Sequence, residues 1–225
     1  MFQGFSQGAV DFLWGIRLNN DRAWFLAHKQ EYLTLVDVPL RTLCAETLST
    51  MNDRFPDLAL EGHTCRIYRD ARRLHGRGPY KDTLWFTLHA PYSDNNYSPM
   101  FYFELGPDHY GYGMGAYDGE PAMMQRFREA IDRDPRPMTA LAEDIAASRF
   151  APYGEFYKRP RGDKGPLLND WYNRKRVGVS FEDNPDGVLF TPQLLPALVE
   201  GFEQLVPLYR YLRGVALDAS NADHI

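Results

Sequence analysis

Cysteine is scarce in this chain: Cys44 and Cys65 are the two present, and neither lies in a C-x-x-C pair. That argues against a disulfide framework or a thiolate zinc site. A chain of 225 residues needs neither, because at this length roughly 70% of the surface exposed by the unfolded form is buried on folding. The six histidines (His28, His63, His75, His89, His109 and His224) include no pair at i, i+3 or i+4. Spacing therefore supplies no metal site, and nothing in the sequence identifies a cofactor. Long apolar runs are missing too. No stretch approaches the roughly 20 apolar residues of a membrane helix, and the mean hydropathy is −0.47. The start, Met1 to Asp11, lacks the basic and apolar regions of a secretory signal. The expectation is a soluble, cytoplasmic protein with no membrane partner. Positive charge is in deficit as well, with 25 Lys and Arg against 30 Asp and Glu, which argues against coating nucleic acid over the whole surface.

What positive charge there is comes in two blocks. From Arg66 to Lys81 six basic residues (Arg66, Arg69, Arg72, Arg73, Arg77, Lys81) stand against one acid, Asp70, for a net of +5. From Lys158 to Arg176 seven basic residues stand against Asp163 and Asp170, again +5. With a chain total of −5, the remainder carries −15. Such separation creates local positive potential where an anion can dwell, or two solvated loops balanced by nearby acids.

The hydrophobic pattern predicts an α+β fold. Ser6 precedes Val10, Phe12, Leu13 and Ile16 at helical spacing. Asn20 is placed to cap a second helix carrying Trp24, Phe25 and Tyr32, and Pro39 breaks or restarts the run into a third. From about Leu58 the period becomes two. Strands are expected around Cys65–Tyr68 and over Thr83–Ala90, Met100–Leu105 and Tyr110–Tyr117, with Gly106-Pro107-Asp108-His109 as a tight turn. Strands this close together imply a largely antiparallel sheet. Helices follow from Pro121 to about Pro135 and from Met138 to Ala147. Tyr153–Gly165 reads as a loop, Arg176–Glu182 as a late strand and Gln193–Leu212 as the last helix. One domain spanning 1–214 is expected, with 215–225 a frayed tail. The architecture is thus a central antiparallel sheet with helices at the N-terminus, after the fourth strand and at the C-terminus. Oligomeric state leaves no signature.

The Arg66–Lys81 segment is the densest polar feature. Guanidinium groups are rigid forks of donors matched to carboxylate and phosphate oxygens, so several converging forks make an oxyanion site. The alternative is an Arg–Asp network that pins a long hairpin. If the strand continues regularly, Arg69 points inward like Ile67 and needs a partner, Asp70 being the nearest acid. Tyr110-Gly-Tyr-Gly-Met-Gly115 places glycines on one strand face, either covered by a helix or open as a floor beside the arginines. Lys158–Gly165 reads as a charged lid or a solvated loop, and Trp171-Tyr172 beside Arg174, Lys175 and Arg176 interleaves aromatics with cations as single-strand binders do.

The basic segment also resembles the signature of the family called domain of unknown function 2461: Arg-x-x-Arg-Asp-x-Arg-Phe, three residues, Asp or Asn, then Lys-x-x-Tyr. Arg66, Arg69, Asp70, Arg72 and Tyr80 match, while Arg73, Gly76 and Arg77 depart from it. Phe2-x-Gly4-Phe5, Phe12-Leu13, Asn19-Asn20, Trp24-Phe25, Lys29-x-x-Tyr32 and Gly113-x-Gly115-x-Tyr117 extend the resemblance from residue 2 to about 130. It implies a bacterial, family-length domain with no established activity. The functional expectation is a pocket in which Arg66, Arg69, Arg72 and Lys81 bind a small phosphorylated or carboxylated ligand, with Asp70 orienting the forks and Tyr80 supplying a hydroxyl. If chemistry occurs there, Asp70 and Tyr80 are the catalytic candidates. The other classes are a nucleic-acid binder using both basic blocks and a structural or protein-interaction domain with its arginines paired internally.

Overall fold

A computed structural model describes residues 1–70, 72, 78–91, 99–116 and 121–217. The first helix, α1 (Gln7–Leu18), follows Ser6 in extended conformation and buries Ala9, Val10, Phe12, Leu13 and Ile16, the stripe its apolar spacing specifies. The cap of α2 (Arg22–Ala27) is Asp21, whose carboxylate accepts from Trp24 N. Asn20, the expected cap, reaches instead to the backbone of Tyr80, accepting from its N–H at 2.9 Å and donating to its carbonyl at 3.0 Å.

Pro39 does not break the next helical run. The chain passes through α3 (Lys29–Glu31) and a π-helical stretch, Tyr32–Asp37, into α4 (Val38–Arg54) with Pro39 in its first turn. Proline lacks the N–H that an α-helix would offer the carbonyl four residues back, and its ring crowds that carbonyl. A local shift to five-residue hydrogen bonds, here Val38 N to Leu33 O, widens the turn ahead of it and keeps the chain helical.

Six strands form one antiparallel sheet in the order β1-β2-β3-β4-β6-β5. They are β1 (Glu61–Thr64), β2 (Leu84–His89), β3 (Met100–Leu105), β4 (Tyr110–Gly115), β5 (Ala151–Pro152) and β6 (Gly178–Asp183). The β3–β4 hairpin closes as its turn sequence predicts, Gly106 N donating to His109 O at 2.8 Å. Past β1 the chain stays paired without a regular ladder: Tyr68 bridges Tyr80, Arg69 N donates to Pro79 O, and Lys81 N donates to Ile67 O. Cys65 and Ile67 are buried while Arg66 and Tyr68 are exposed, which is the alternation read from the sequence. The remaining helices are α5 (Pro121–Arg133), α6 (Arg136–Ala146), α7 (Pro166–Tyr172) and α8 (Leu194–Leu217). Neither α7 nor β5 was expected, and α8 runs past Gly214 through Leu217.

Residue contacts separate into two compact units. The first comprises Met1–Leu88, Tyr102–Tyr112 and Glu182–Glu200; the second comprises His89–Phe101, Gly113–Phe181 and Gly201–Ile225. In the first, Phe103 stacks between Phe5 and Phe86, with ring centroids 5.9 and 5.6 Å away. In the second, Phe101 stacks on Tyr209 at 4.7 Å, and the Tyr209 hydroxyl accepts from Ala90 N at 3.0 Å. All six residues of β4 are buried. The space a side chain at Gly113 would need is taken by backbone of β6, the Val179 carbonyl and Ser180 Cα, and Gly115 faces the Tyr153 hydroxyl. Closely approaching backbone therefore occupies the space beside Gly113, and with every residue of β4 buried the strand offers no open floor.

Candidate functional site: an arginine–aspartate cleft

A cleft of about 300 Å³ in the first unit is lined by Arg17, Asn20, Arg69, Gly78 and Asp82. Asp82 sits at its centre, just ahead of β2. One carboxylate oxygen accepts from Arg17 Nε at 2.7 Å and the other from Arg69 Nη2 at 2.9 Å. Arg17 comes from the last turn of α1 and Arg69 from the chain beyond β1, so residues far apart in sequence meet on one acid. Burial works against ionisation of Asp82, but the hydrogen bond from Arg17, with the charges of Arg17 and Arg69, outweighs it and holds the carboxyl below its ordinary range. The network extends outward through the other end of Arg17, which donates to both oxygens of Asp108 at 2.8 and 3.3 Å. Asp108 also takes His109 Nδ1 at 3.0 Å. Those bonds, Arg17's first, keep Asp108 well below the usual carboxylate range.

Arg69 answers the question its position in the strand raised. Its side chain is 20% exposed, and its partners are the Tyr80 carbonyl, from Nε at 2.8 Å, and Asp82. A guanidinium carries five N–H donors. With two of Arg69's engaged, the other three make no hydrogen bond among the described residues. Gly78 is needed beside it, because a side chain there would run into the Asn20 amide.

The other predicted residues do not gather around this cleft. Arg72 lies in solvent, 88% exposed, clasping Asp70 through Nε at 3.1 Å and Nη2 at 2.8 Å. Asp70 thus orients Arg72, and the acid that takes Arg69 in the cleft is Asp82. Lys81 turns back on its own hairpin, donating to the carbonyls of Arg66 and Tyr68, with Trp85 under its ammonium, and burial pulls its pKa down. Arg66 is exposed. Tyr80 is buried against Phe25, ring centroids 4.2 Å apart, and burial raises its pKa; its backbone is what meets Asn20 and Arg69. Arg73, His75, Gly76 and Arg77 lie outside the described residues. Arg17, Asn20 and Asp82 were the missing members. Asn20 was read from the sequence as a cap, and nothing local ties it, Arg17 or Asp82 to Arg69.

Among the described residues no three His, Cys, Asp or Glu side chains come together to hold a metal ion, and no helix is long and apolar enough to cross a membrane. Fold and site together define an α+β protein whose sheet-edge hairpin is tied to its first helix by guanidinium–carboxylate pairs. The chain belongs to the family described as "Conserved hypothetical protein (DUF2461)", whose model matches residues 8–211. No curated protein matches it.

Proposed function

We propose that this protein binds a small carboxylated or phosphorylated molecule in the Arg17–Arg69 cleft. The observation that carries the reading is the convergence of two guanidinium groups on Asp82 in the wall of a cleft, with three Arg69 donors making no hydrogen bond among the described residues. Two guanidiniums are matched by two carboxylates, Asp82 and, beyond the lining, Asp108, so the reading rests on donor capacity at Arg69 and not on net charge. The forks are already held in place, so an incoming oxyanion meets preorganised donors. Binding is favoured over acid catalysis because the one titratable acid in the lining, Asp82, is held ionised by both arginines.

A second reading is supported by the same hydrogen bonds: the network pins α1 to the hairpin, and the arginines serve stability alone. Arg69→Lys separates the two, since lysine keeps the charge but loses the fork. Calorimetric titration with inorganic phosphate, beside a thermal melt, is the test. Millimolar binding that weakens about tenfold in the variant supports the ligand site. A lowered melting temperature with no phosphate binding in either protein assigns the arginines to structure. Extended nucleic acid is disfavoured because so many cations of both blocks are spent on the chain's own acids: Arg72 on Asp70, Lys164 on Asp132, Arg174 on Asp170, and Lys175 on Glu155.

A further inference from the structure

The second unit carries a cleft of its own, about 440 Å³, between the turn at residues 156–160 and the start of α7. Its walls are Phe156, Tyr157, Pro160 and Pro166, with Asn169, Asn173 and two charged residues in the lining: Lys158, and Asp170, whose carboxylate is paired with Arg174 at 2.7 Å. Three features set it apart from an ordinary surface dent.

Phe156 is 49% exposed yet fixed. Its backbone bridges Arg174, and the Arg174 guanidinium lies 4.2 Å from its ring centroid. That guanidinium is itself held by three short bonds, to the Asp170 carbonyl at 2.7 Å, the Gly154 carbonyl at 2.6 Å and the Asp170 carboxylate at 2.7 Å. The ring is thus held by a fixed cation and lines the cleft.

The loop that forms the rim is equally held. Asn173, nearly buried, accepts from Arg161 N at 2.6 Å and from Gly162 N at 3.3 Å, and returns a bond to the Gly162 carbonyl at 3.0 Å. Asn169 accepts from Lys164 N at 2.8 Å and donates to Asp163 at 2.9 Å. The segment read from sequence as a lid or a solvated loop is fastened at its middle and its far end, so the cleft is preformed.

Charge in the lining is unspent in one place. Lys158 makes no hydrogen bond or ion pair among the described residues, whereas Arg174, Lys175 and Lys164 nearby are all matched to acids. The Tyr157 ring is already taken by the Arg161 and Arg128 guanidiniums, 4.3 and 5.1 Å from its centroid, which leaves the half-exposed Phe156 ring with the Lys158 ammonium beside it as the pair complementary to a planar ring carrying an anionic group. We infer that this cleft binds such a molecule, an aryl carboxylate or a nucleoside monophosphate, with its ring on Phe156 and its anion on Lys158.

Titration of the full chain with benzoate and with adenosine 5′-monophosphate, followed through amide resonances of residues 156–160 and 166–173, tests this. Cyclohexanecarboxylate, an anion of similar size without a flat ring, is the control. Saturable shifts with at least one planar probe, about fivefold tighter than the control, support the site, and the tighter of the two identifies the source of the ring. Phe156→Leu should cost about tenfold in affinity, and Phe156→Tyr should retain binding. Lys158→Gln should cost about threefold and abolish most of the salt dependence. Both residues are on the surface, so unchanged melting temperatures accompany these losses. Equal binding of cyclohexanecarboxylate, no response to either planar probe, or an affinity unmoved by Phe156→Leu overturns the inference. The first cleft reports on residues 17–20 and 78–82 and shares no lining residue with this one, so failure at one site is read separately from failure at the other.

Discussion

Replacing Asp82 with Asn separates stability from binding, because the two should move in opposite directions. In the native protein Asp82 accepts charge-assisted hydrogen bonds from Arg17 and Arg69 at 2.7 and 2.9 Å. Each such bond contributes about 1.5–3 kcal/mol. The amide oxygen of asparagine can keep one of them, while its NH₂ must face the other guanidinium, so the loss is about 3 kcal/mol. For a chain of this size 1 kcal/mol moves the melting temperature by about 2–4 °C, which predicts a fall of about 6–12 °C near pH 7. The effect should depend on acidity in one direction. The folded carboxyl lies below its ordinary value of 3.8. Its contribution is therefore complete above that value and is lost as pH falls through the lower folded one, so the melting curves of the two proteins should converge in acid. Phosphate affinity should rise at the same time. Removing one negative charge from the cleft wall is worth roughly 1.4 kcal/mol to an anion a few ångströms away in a part-solvated site, or about tenfold. Differential scanning calorimetry with and without phosphate measures both quantities. A fall smaller than about 2 °C would refute the shared-carboxylate argument. Affinity that drops along with stability would refute the anion site.

Three further outcomes are expected. Gly113→Ala should destabilise strongly, by about 3 kcal/mol, because its Cβ would meet the Val179 carbonyl and, at 2.9 Å, Ser180 Cα; Gly214→Ala, in open space within α8, should gain about 1 kcal/mol from helix propensity, and urea unfolding of the pair checks both signs. Glu104→Gln should raise the melting temperature at neutral pH: burial pushes the Glu104 carboxyl up, outweighing the pull of His109, and Glu182 adds a smaller push, so its ionisation opposes folding as pH rises past 4.5, and the gain should vanish below that pH. Arg72→Ala should leave both melting temperature and phosphate affinity unchanged, since its pair with Asp70 is solvent-exposed, and a loss of binding would return Arg72 to the site.

The fold was legible where local pattern and burial coincide. The stripe of α1, the alternation through β2 and β3, and the Gly106–His109 turn each depend on neighbours a few residues apart, and each appears with the expected bounds within a residue or two. The failures have local causes of their own. Asp21 outcompetes Asn20 as a cap because Asn20 is drawn to the Tyr80 backbone, 60 residues away. Pro39 takes the first turn of α4, as the restart reading had it, while the π-helical turn that joins that helix to the preceding run is invisible to a 3.6-residue period. The short α7 starts at Pro166 directly after a charged loop and carries too few apolar positions to announce a period. At the site, Arg69 was found and its partners were not. Arg17 and Asp82 are 65 residues apart, and Arg17 and Asp108 are 91 apart, and no spacing rule connects them.

That distance limits what charge density along the chain can say about a site. Cations crowded along a chain repel one another, and a folded acidic protein relieves this by delivering acids from elsewhere: Asp82 and Asp108 to Arg17, Asp132 to Lys164, Glu155 to Lys175. Within the dense stretch, Arg69 is matched in this way by Asp82 and Arg72 by Asp70. What survives for an external anion is donor capacity left over after this matching, at positions that also line a concavity. Arg69 meets both conditions in the first unit and Lys158 meets both in the second. Arg66 and Arg72 are exposed, and Arg72 is spent on Asp70. Anion binding by this protein should therefore be carried by the few cations that line a concavity, and neutralising Arg72 should cost far less affinity than removing the fork of Arg69.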